Sequence, residues 1–393
     1  MKKKVLTMAL CLTMGISLTA CGGQTANKDQ APTTSKSSQT VSSKVSSTTT
    51  NSTTSVGNNK NVASETKENA TEDVIRWNAG TSGNVLLTIA EEKGFLKDEG
   101  IKIEFVPATA NADAMTMLST GKVDVVSNAG TSNPLQQISS GVDLTIFGGH
   151  MLTGAMPIIA KKGTKWEGVK SLIGKKFACN PAYFALTGAV MELGYDKPLE
   201  AVNWVTYKDY TDAMAAVVKG EVDFALQGTG QNFAVKGMDD IEIVAYQSDI
   251  MPNYSCCRME STSDYFKNNK DKLKRVVKAL IRAQEYYQRN REEAAKLHAA
   301  KIEADVPYVN AYMQDEHYRV HIDPLKNSVI RAWDILGKTG FLDEKAKNIN
   351  IEDHVNTDLY KEALDEVIAA HYDENKEFYD ELKKFFEENN TGL

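Results

Sequence analysis

The residues best placed to do chemistry in this sequence lie in four polar loops. Each loop is rich in Gly, Asn, Ser, Thr or Gln, and the four are residues 79–84, 128–133, 180–184 and 227–231. None of them contains Arg or Lys. Their amide and hydroxyl groups can form hydrogen bonds to a small molecule, and their glycines allow close backbone approach. The loops therefore indicate binding of a small solute.

The cysteines and histidines give weaker signals. Cys256 and Cys257 are adjacent and Cys179 stands alone, without CxxC or metal-type spacing. A vicinal disulfide is one interpretation, and burial of all three thiols as small hydrophobes is the favoured one. His317 and His321 stand four apart, which favours one face of a solvated helix, and no third ligand follows at a clear spacing. We predict no metal site and no cofactor.

Catalytic patterns are missing from the same loops. Spacing identifies no Ser-His-Asp arrangement, and residues 228–230, Gly-Thr-Gly, lack the lysine of a phosphate-binding loop. Glu316 precedes His317 rather than following it, so the zinc-protease pattern H-E-x-x-H is not met. The sequence predicts a protein that is not an enzyme.

The elements that must position the loops form an internal repeat. Residues 112–126 and 211–225 share Asp-Ala-Met, Gly and Val-Asp at the same spacing. Each copy reads as strand, polar loop, helix, Gly, strand, helix, Gly, strand. Two such α/β units predict two lobes around a cleft, and parallel sheets bind ligands outside the carboxyl ends of their strands. All four polar loops fall at such ends.

We predict ligand contacts from side chains in or near these loops. The residues are Ser82, Asn84, Thr131, Tyr183 and Gln227, with His150 as a sixth that lies outside the four loops. Tyr183, Phe184 and Tyr254 either stack on an organic ligand or fill the core. The nearest ionisable candidates are His150 and Arg258.

The amino-terminal residues predict export. Residues 1–20 have a lysine-rich start and an apolar stretch too short to span a bilayer, as in a signal peptide. Residues 18–21, Leu-Thr-Ala-Cys, resemble the lipobox of bacterial lipoproteins, which implies a diacylglycerol anchor on Cys21. A plain signal peptide with an incidental cysteine is the alternative. Residues 21–73 are a predicted disordered tether, with 17 Ser or Thr among residues 33–55.

The net charge of the chain limits the kinds of partner that it can bind. The formal net charge is -7, and no basic block is present, which argues against binding of nucleic acid.

A long tether after a lipid anchor suits a Gram-positive cell, where the domain must clear the membrane surface.

Several segments resemble one family of binding proteins. They are residues 77–84, residues 90–101 (AEEKGFLKDEGI), 121–124 (GKVD), 170–176 (KSLIGKK) and 220–223 (GEVD). This set resembles the solute-binding proteins of nitrate, taurine and aliphatic-sulfonate ABC importers, a family that includes binders of thiamine-pyrimidine precursors. The resemblance covers about residues 74–297.

The resemblance implies an α/β protein of the type II periplasmic-binding-protein fold, with two crossovers between two lobes. We predict a first lobe of residues 74–154 and 255–393, which includes the C-terminal helices, and a second lobe of residues 155–254. The implied function is delivery of a small organic molecule or anion, sulfonate-like or pyrimidine/aromatic, to an ABC permease by a monomer. Backbone N–H groups near Gly83 and Pro181 would hold an anion. A solute sensor for a membrane receptor and an enzyme like thiamine-pyrimidine synthase are the alternatives.

Overall fold

The computed structural model describes residues 72–80, 82–108 and 111–391, apart from the side chains of residues 111 and 112. The predicted signal peptide, Cys21 and almost all of the predicted tether lie outside the described residues. No helix within the described part of the chain is long and apolar enough to cross a membrane.

Strands in the described part of the chain form two sheets. In chain order the strands are β1 (Asp73–Asn78), β2 (Ile101–Phe105), β3 (Val125–Val126), β4 (Leu144–Gly154), β5 (Pro157–Lys161), β6 (Lys176–Ala178), β7 (Asn203–Val205), β8 (Phe224–Leu226), β9 (Ile241–Tyr246), β10 (Cys257–Thr262) and β11 (Tyr318–Val320).

Helices cover both sheets. The α-helices are α1 (Val85–Glu92), α2 (Phe95–Asp98), α3 (Asn111–Ser119), α4 (Ser132–Ser139), α5 (Phe184–Glu192), α6 (Pro198–Ala201), α7 (Tyr210–Lys219), α8 (Asn232–Lys236), α9 (Gln247–Ile250), α10 (Ser263–Asn268), α11 (Lys270–Arg289), α12 (Arg291–Lys301), α13 (Val306–Met313), α14 (Lys326–Lys338), α15 (Asp358–His371) and α16 (Lys376–Asn390). Short 3₁₀ turns are Val169–Leu172, Thr229–Gln231, Glu344–Asn348, Ile351–His354 and Tyr372–Glu374.

The first sheet has the strand order β2-β1-β3-β10-β4-β11. β1 runs parallel to β2 and β3, and Trp77 pairs with both Phe105 and Val125. β10 and β11 each run antiparallel to β4. Because β1, β2 and β3 are parallel neighbours, their carboxyl ends meet at one edge of the sheet. We call this sheet and the helices on it the first lobe.

The second sheet has the order β7-β6-β8-β5-β9. β6 runs parallel to β7 and β8, while β5 runs antiparallel to β8 and β9. The carboxyl ends of β6, β7 and β8 therefore also share one edge. This sheet and its helices are the second lobe.

The chain crosses between the two sheets twice. It leaves the first sheet at Gly154 and enters the second at Pro157, and it leaves the second at Tyr246 and re-enters the first at Cys257. A backbone turn at Ala155, with φ 45°, marks the first crossing. Two mixed α/β lobes joined by two crossings confirm the predicted fold class, the type II periplasmic-binding-protein fold.

The repeated Val-Asp motif has the same structural role in both lobes. Asp124 accepts a hydrogen bond from the Arg76 backbone N–H at 2.8 Å, and Asp223 accepts one from the Lys176 N–H at 2.9 Å. In each lobe the carboxylate just before one strand thus holds the backbone of the neighbouring parallel strand. The preceding glycine of each copy, Gly121 or Gly220, ends its helix with a positive φ of 69° or 78°.

The C-terminal helices pack mainly on the first lobe. The apolar stripe of α11 is buried between α1 and α15. Its residues are Leu273, Val276, Val277, Leu280, Ile281 and Gln284. Two of these helices also contact the second lobe: α13 contacts α8, and α14 contacts α5 as well as α4 of the first lobe.

The predicted helix around His317 and His321 is wrong. Residues 318–320 form β11, the edge strand beside β4. Tyr318 and Val320 are buried and Arg319 between them is exposed, which is the two-residue period of a strand. His321 is buried rather than solvated.

Candidate functional site

A cavity of about 430 Å³ lies where the carboxyl edges of the two parallel strand sets face each other. The first lobe contributes Ser82, Asn128, Gly130, Ser132, Met151 and Tyr308. The segments around the two crossings contribute Met156, Gln247, Tyr254, Cys256 and Cys257. The second lobe contributes Tyr183, Phe184, Tyr210, Gly228, Thr229, Gly230 and Gln231.

The described wall of this cavity contains no Asp, Glu, Lys, Arg or His. Five aromatic rings and four sulfur atoms supply most of its apolar surface. Side-chain amides and hydroxyls, together with the amino ends of α4 and α5, supply the polar groups. Burying a net charge without a counter-charge costs several kcal/mol. The wall is therefore chemically suited to an uncharged molecule with a flat apolar body.

Two tyrosines of the second lobe form a hydrogen-bonded pair on this wall. The hydroxyl oxygens of Tyr183 and Tyr210 are 2.8 Å apart. Burial raises the pKa of Tyr183 well above its ordinary value and that of Tyr210 to about 12. Both phenols are therefore neutral near pH 7, and each can still donate or accept a hydrogen bond.

On one side of the cavity the lobes meet through a polar cluster around Asp315. Its carboxylate accepts hydrogen bonds from Lys236 Nζ at 2.9 Å and Tyr246 Oη at 2.8 Å, both from the second lobe. His317 Nδ1 lies 2.7 Å from the same carboxylate, and the His317 ring stacks on Tyr246 with centroids 3.9 Å apart. Burial opposes ionisation of Asp315, but the hydrogen bonds from Lys236, His317 and Tyr246 hold its pKa below its ordinary value.

A second set of contacts between the lobes is mostly apolar. Residues of α5, among them Phe184 and Ala185, share a hydrophobic cluster with Val329 and Ile335 of α14. A Cβ on Gly188 of α5 would lie 2.5 Å from Ile335 Cδ1, so the glycine allows close packing here. Ser132 Oγ also donates to the carbonyl of Ala182 in the second lobe at 2.7 Å. The two lobes thus contact each other at two places, as in a closed binding protein.

Ser82 and Tyr183 are the two predicted contact residues that line the cavity. Ser82 Oγ accepts a hydrogen bond from Asn128 Nδ2 at 2.7 Å, which orients both side chains at the wall. Phe184 and Tyr254, the two other aromatic candidates, also line it. Tyr254 is only 3% exposed, and its hydroxyl oxygen accepts the Gly154 N–H at 3.0 Å.

Asn84 and Thr131 use their side chains within the fold. Asn84 Oδ1 caps α1 by accepting the backbone N–H groups of Leu86 and Leu87, and its Nδ2 donates to Ser127. Thr131 Oγ1 donates to the carbonyl of Ser255 in the second crossing. Both residues are 2% exposed and neither lines the cavity. Their contact with a ligand stays a prediction.

Gln227 and His150 are fully buried beside the cavity rather than on its wall. His150 lies within β4, where burial lowers its pKa to about 3, so the ring is neutral. Arg258, the other ionisable candidate, faces away from the cavity and donates to the carbonyls of Asp323 and Met151. Ligand contact by Gln227 and His150 likewise stays a prediction.

Sequence reasoning missed Tyr210, Gln247 and Tyr308. Tyr210 is the first residue of α7 and follows the loop after β7. The repeat could therefore have predicted its place near a strand end. Gln247 follows β9, and its buried Oε1 has no partner among the described residues. Tyr308 lies on α13, and its hydroxyl sits where a Cβ on Gly230 would be 2.4 Å away. No local pattern signals this contact, because it joins elements from different lobes.

The three cysteines in the described part of the chain are free thiols. Cys179 and Cys257 are buried, as the favoured interpretation predicted, whereas Cys256 is half-buried and lines the cavity. The Sγ atoms of Cys256 and Cys257 are 3.8 Å apart.

A model of the family described as NMT1/THI5 like matches residues 84–294, more than half of the chain. No curated protein sequence matches this one.

Solved structures share the fold at low sequence identity. The periplasmic aliphatic sulphonate binding protein SsuA from Escherichia coli is 19% identical, with a TM-score of 0.58 over 69% of this chain and 89% of its own. The periplasmic nitrate-binding protein NrtA from Synechocystis PCC 6803 is 15% identical, with a TM-score of 0.59 over 76% of this chain and 89% of its own.

An enzyme shares the fold as well. The desulfurization enzyme DSZB is 14% identical, with a TM-score of 0.52 over 75% of this chain and 99% of its own. The fold by itself therefore does not separate binding from catalysis. The family model nevertheless confirms the resemblance found in the sequence motifs, and the chain belongs to the NMT1/THI5-like family with the two-lobed fold of periplasmic sulfonate- and nitrate-binding proteins.

Proposed function

We propose that this protein captures an uncharged aromatic or heteroaromatic solute outside the cytoplasm and delivers it to an ABC importer. The observation that carries the proposal is the cavity between the lobes, whose described wall has five aromatic rings and no charged side chain. A ring seated between Tyr183 and Tyr254 would gain both buried area and aromatic contact. Hydrogen-bond acceptors on the solute would face the amino ends of α4 and α5.

The same wall supports capture rather than acid–base chemistry on the solute. General acid–base catalysis needs a group whose pKa lies near the working pH. Burial raises the pKa values of Tyr183 and Tyr210, and the described wall contains no histidine or carboxylate. The two crossings between the lobes fit a hinge that closes around a solute.

Sulfonate or nitrate capture is the less favoured ligand class. SsuA and NrtA are named for such anions. Here an anion would have only the helix amino ends for compensation, each equivalent to about half a charge.

A thermal-shift screen of matched pairs tests the ligand class. Benzenesulfonamide is compared with benzenesulfonate and nicotinamide with nicotinate, alongside uncharged pyrimidines, taurine and nitrate. At about 100 times Kd a solute stabilises the protein by about 2.7 kcal/mol, which corresponds to about 4 °C for a folded part of this size. We expect such shifts only from uncharged rings. Shifts from anions alone would overturn the ligand class, and turnover of a compound without binding shifts would overturn capture itself.

We further propose that Cys21 carries a lipid anchor and that residues 21–73 act as a tether. The folded part is a monomer with a first lobe of residues 74–154 and 255–393 and a second lobe of residues 155–254. A Gram-positive envelope suits this arrangement. The Cys21→Ser variant should be released from the membrane fraction with an unchanged melting temperature, because the first strand begins some fifty residues later. Retention of a correctly processed variant in the membrane fraction would contradict the anchor.

A further inference from the structure

Cys256 and Cys257 form a pair of thiols at the wall of the cavity, where the chain re-enters the first lobe. Cys256 is half-buried and faces the cavity, whereas Cys257 is 4% exposed. Their Sγ atoms are 3.8 Å apart, and Cys257 Sγ lies 3.1 Å from Asn128 Oδ1. Both thiols thus lie at the wall, and Cys256 is the more exposed of the two.

The surrounding backbone holds the two cysteines in a tight turn at the cavity wall. Asn253 and Ser255, immediately upstream, have φ angles of 49° and 57°, in a region that non-glycine residues rarely adopt. The Cys256 N–H donates to the carbonyl of Leu152 at 3.1 Å, which fixes the turn against the first crossing. A Cβ on Gly154 would lie 2.9 Å from Cys256 Sγ, so the glycine leaves room for the sulfur.

The two thiols differ in acidity in a way that assigns them roles. Hydrogen bonding from Cys257, followed by that from the Tyr254 hydroxyl, lowers the pKa of Cys256. The same pairing and burial raise the pKa of Cys257. Because the thiolate is the nucleophile in disulfide exchange, Cys256 is the residue that attacks and Cys257 the residue that resolves.

A bond between neighbouring cysteines would be strained. Consecutive Cα atoms are about 3.8 Å apart, below the range of about 4.4–6.8 Å seen in ordinary disulfides. Strained disulfides are reduced easily, and the labile ones are those with regulatory or catalytic roles. The sulfurs would also have to move toward each other to reach bonding distance, which would shift the second crossing.

We propose that Cys256 and Cys257 are a thiol–disulfide exchange site in the wall of the cavity that reacts with uncharged low-molecular-weight disulfides. The Cys256 thiolate attacks one sulfur of the disulfide, releases one small thiol and forms a mixed disulfide. Cys257 then loses its proton, attacks Cys256 Sγ and releases the second small thiol. The pair is oxidised by two electrons and the small disulfide is reduced to two thiols. A small thiol in excess reverses both steps.

The site would make solute capture sensitive to redox conditions, a consequence that rests on the proposed function. A mixed disulfide on Cys256 would occupy the cavity, and the vicinal disulfide would change the crossing about which the lobes move. The exchange itself does not depend on any solute.

The test treats the reduced full chain with 2,2′-dithiodipyridine and maps tryptic peptides by mass. The peptide of residues 237–258 contains Cys256 and Cys257 and no other cysteine. Cys179 falls in residues 177–208, because trypsin does not cleave between Lys197 and Pro198, and Cys11 and Cys21 fall in residues 5–28. We expect peptide 237–258 to lose two hydrogen masses without retaining a pyridyl group, and dithiothreitol to restore it. Peptide 177–208 should stay unmodified in the folded protein, because Cys179 is buried.

Two variants separate the steps. Cys257→Ser should retain one pyridyl group on peptide 237–258, because the resolving thiol is gone. Cys256→Ser should leave that peptide unmodified, because Cys257 is buried. A wild-type peptide that stays unmodified, or one that retains two pyridyl groups, would overturn the proposal, as would an unmodified Cys257→Ser peptide. If a variant fails to fold, the wild-type peptide is followed over time instead. A pyridyl adduct that forms and then disappears would support the proposal. These masses are independent of the ligand screen, so the two proposals can fail separately.

Discussion

The two lobes share a framework but differ in what they present to the cavity. Asp124 and Asp223 occupy equivalent places, and Gly121 and Gly220 end equivalent helices. At the cavity, however, the matched loops of the first lobe present the small polar groups of Ser82, Asn128 and Ser132, whereas the second lobe presents the rings of Tyr183, Phe184 and Tyr210. The framework keeps the strand ends in place, and the loop residues alone give each lobe its own contribution to binding.

The lobes also differ in how they treat charge. Residues 157–246, which hold all the strands of the second lobe, contain no histidine. The first lobe buries His150, His298 and His321, and burial is the main cause that lowers their pKa values to about 3, 4 and 3. The same lobe buries Asp323, whose pKa burial raises to about 7. Protonation of Asp323 favours the folded state as pH falls, whereas the three histidines, with lowered folded pKa values, act in the opposite direction and outnumber it. Acid should therefore destabilise the first lobe more than the second.

The largest expected effect compares equivalent core positions. Leu118 and Val217 are both fully buried, on α3 and α7. Leu118→Ala should lower the free energy of unfolding by about 2–5 kcal/mol, and Val217→Ala by less, because one carbon fewer is removed from the core. Urea denaturation followed by circular dichroism measures both. A larger loss for Val217→Ala would mean that the second lobe limits the stability of the whole.

The acid response of the first lobe can be tested at His298. Its ring lies 3.3 Å from Thr88 Oγ1 and 3.0 Å from the Ser82 carbonyl. The folded pKa, about 4, lies below the unfolded value of about 6.5. As pH falls, the unfolded state therefore binds a proton before the folded state does. The stabilisation that the neutral His298 ring provides is present above pH 6.5 and is lost as pH falls towards 4. The loss amounts to about 3 kcal/mol.

His298→Gln isolates that contribution from those of His150 and His321. The wild type should lose stability relative to the variant between pH 6.5 and 4, as measured by urea denaturation at each pH. Parallel pH curves for the two proteins would show that His298 has the same pKa in the folded and unfolded states.

The repeated aspartates allow a comparison at matched positions that differ in exposure. Asp124 accepts three hydrogen bonds from Arg76, including the backbone N–H, and its side chain is 9% exposed. The Asp223 side chain is 42% exposed and its ion pair with Lys175 is loose, at 3.7 Å. Asp124→Ala should cost about 1.5–3 kcal/mol and Asp223→Ala about 1 kcal/mol or less. Equal losses in thermal or urea unfolding would show that only the shared backbone contact matters.

The smallest effects concern the cavity itself. With a neutral solute from the screen, Tyr183→Ala should weaken binding by about 1–3 kcal/mol, because a ring and its buried area are lost. Ser82→Ala should weaken it by about 1 kcal/mol, the value of one neutral hydrogen bond. Calorimetry measures both, with unfolding curves as the control. Unchanged affinity together with a large loss of stability in Tyr183→Ala would assign that ring to the core.

Local sequence was enough for the framework. The repeat, the helix-ending glycines and the division into two α/β lobes follow from period, turn chemistry and spacing, which act over a few residues. The type II periplasmic-binding-protein fold was implied by the resemblance of several motifs to a known family. The segment around His317 was misread because two histidines four apart satisfy a helix as well as a loop, and only pairing with β4 selects the strand.

The cavity wall was decided by tertiary structure. Ser82 and Tyr183 could be predicted as cavity residues because the residues that follow a strand's carboxyl end face the cleft, whichever residues of the other lobe lie across from them. Tyr308, Gln247 and Cys256 reach the same cavity from α13 and from the second crossing, and contacts between distant segments leave no period in the sequence. Asn84 and Thr131 show the converse: both lie in the right loops, but the fold uses their side chains for a helix cap and a contact between segments. Sequence thus determined which loops face the cleft, and packing of the two lobes decided which side chains in and beyond those loops line it, because a side chain's direction depends on partners that fold next to it.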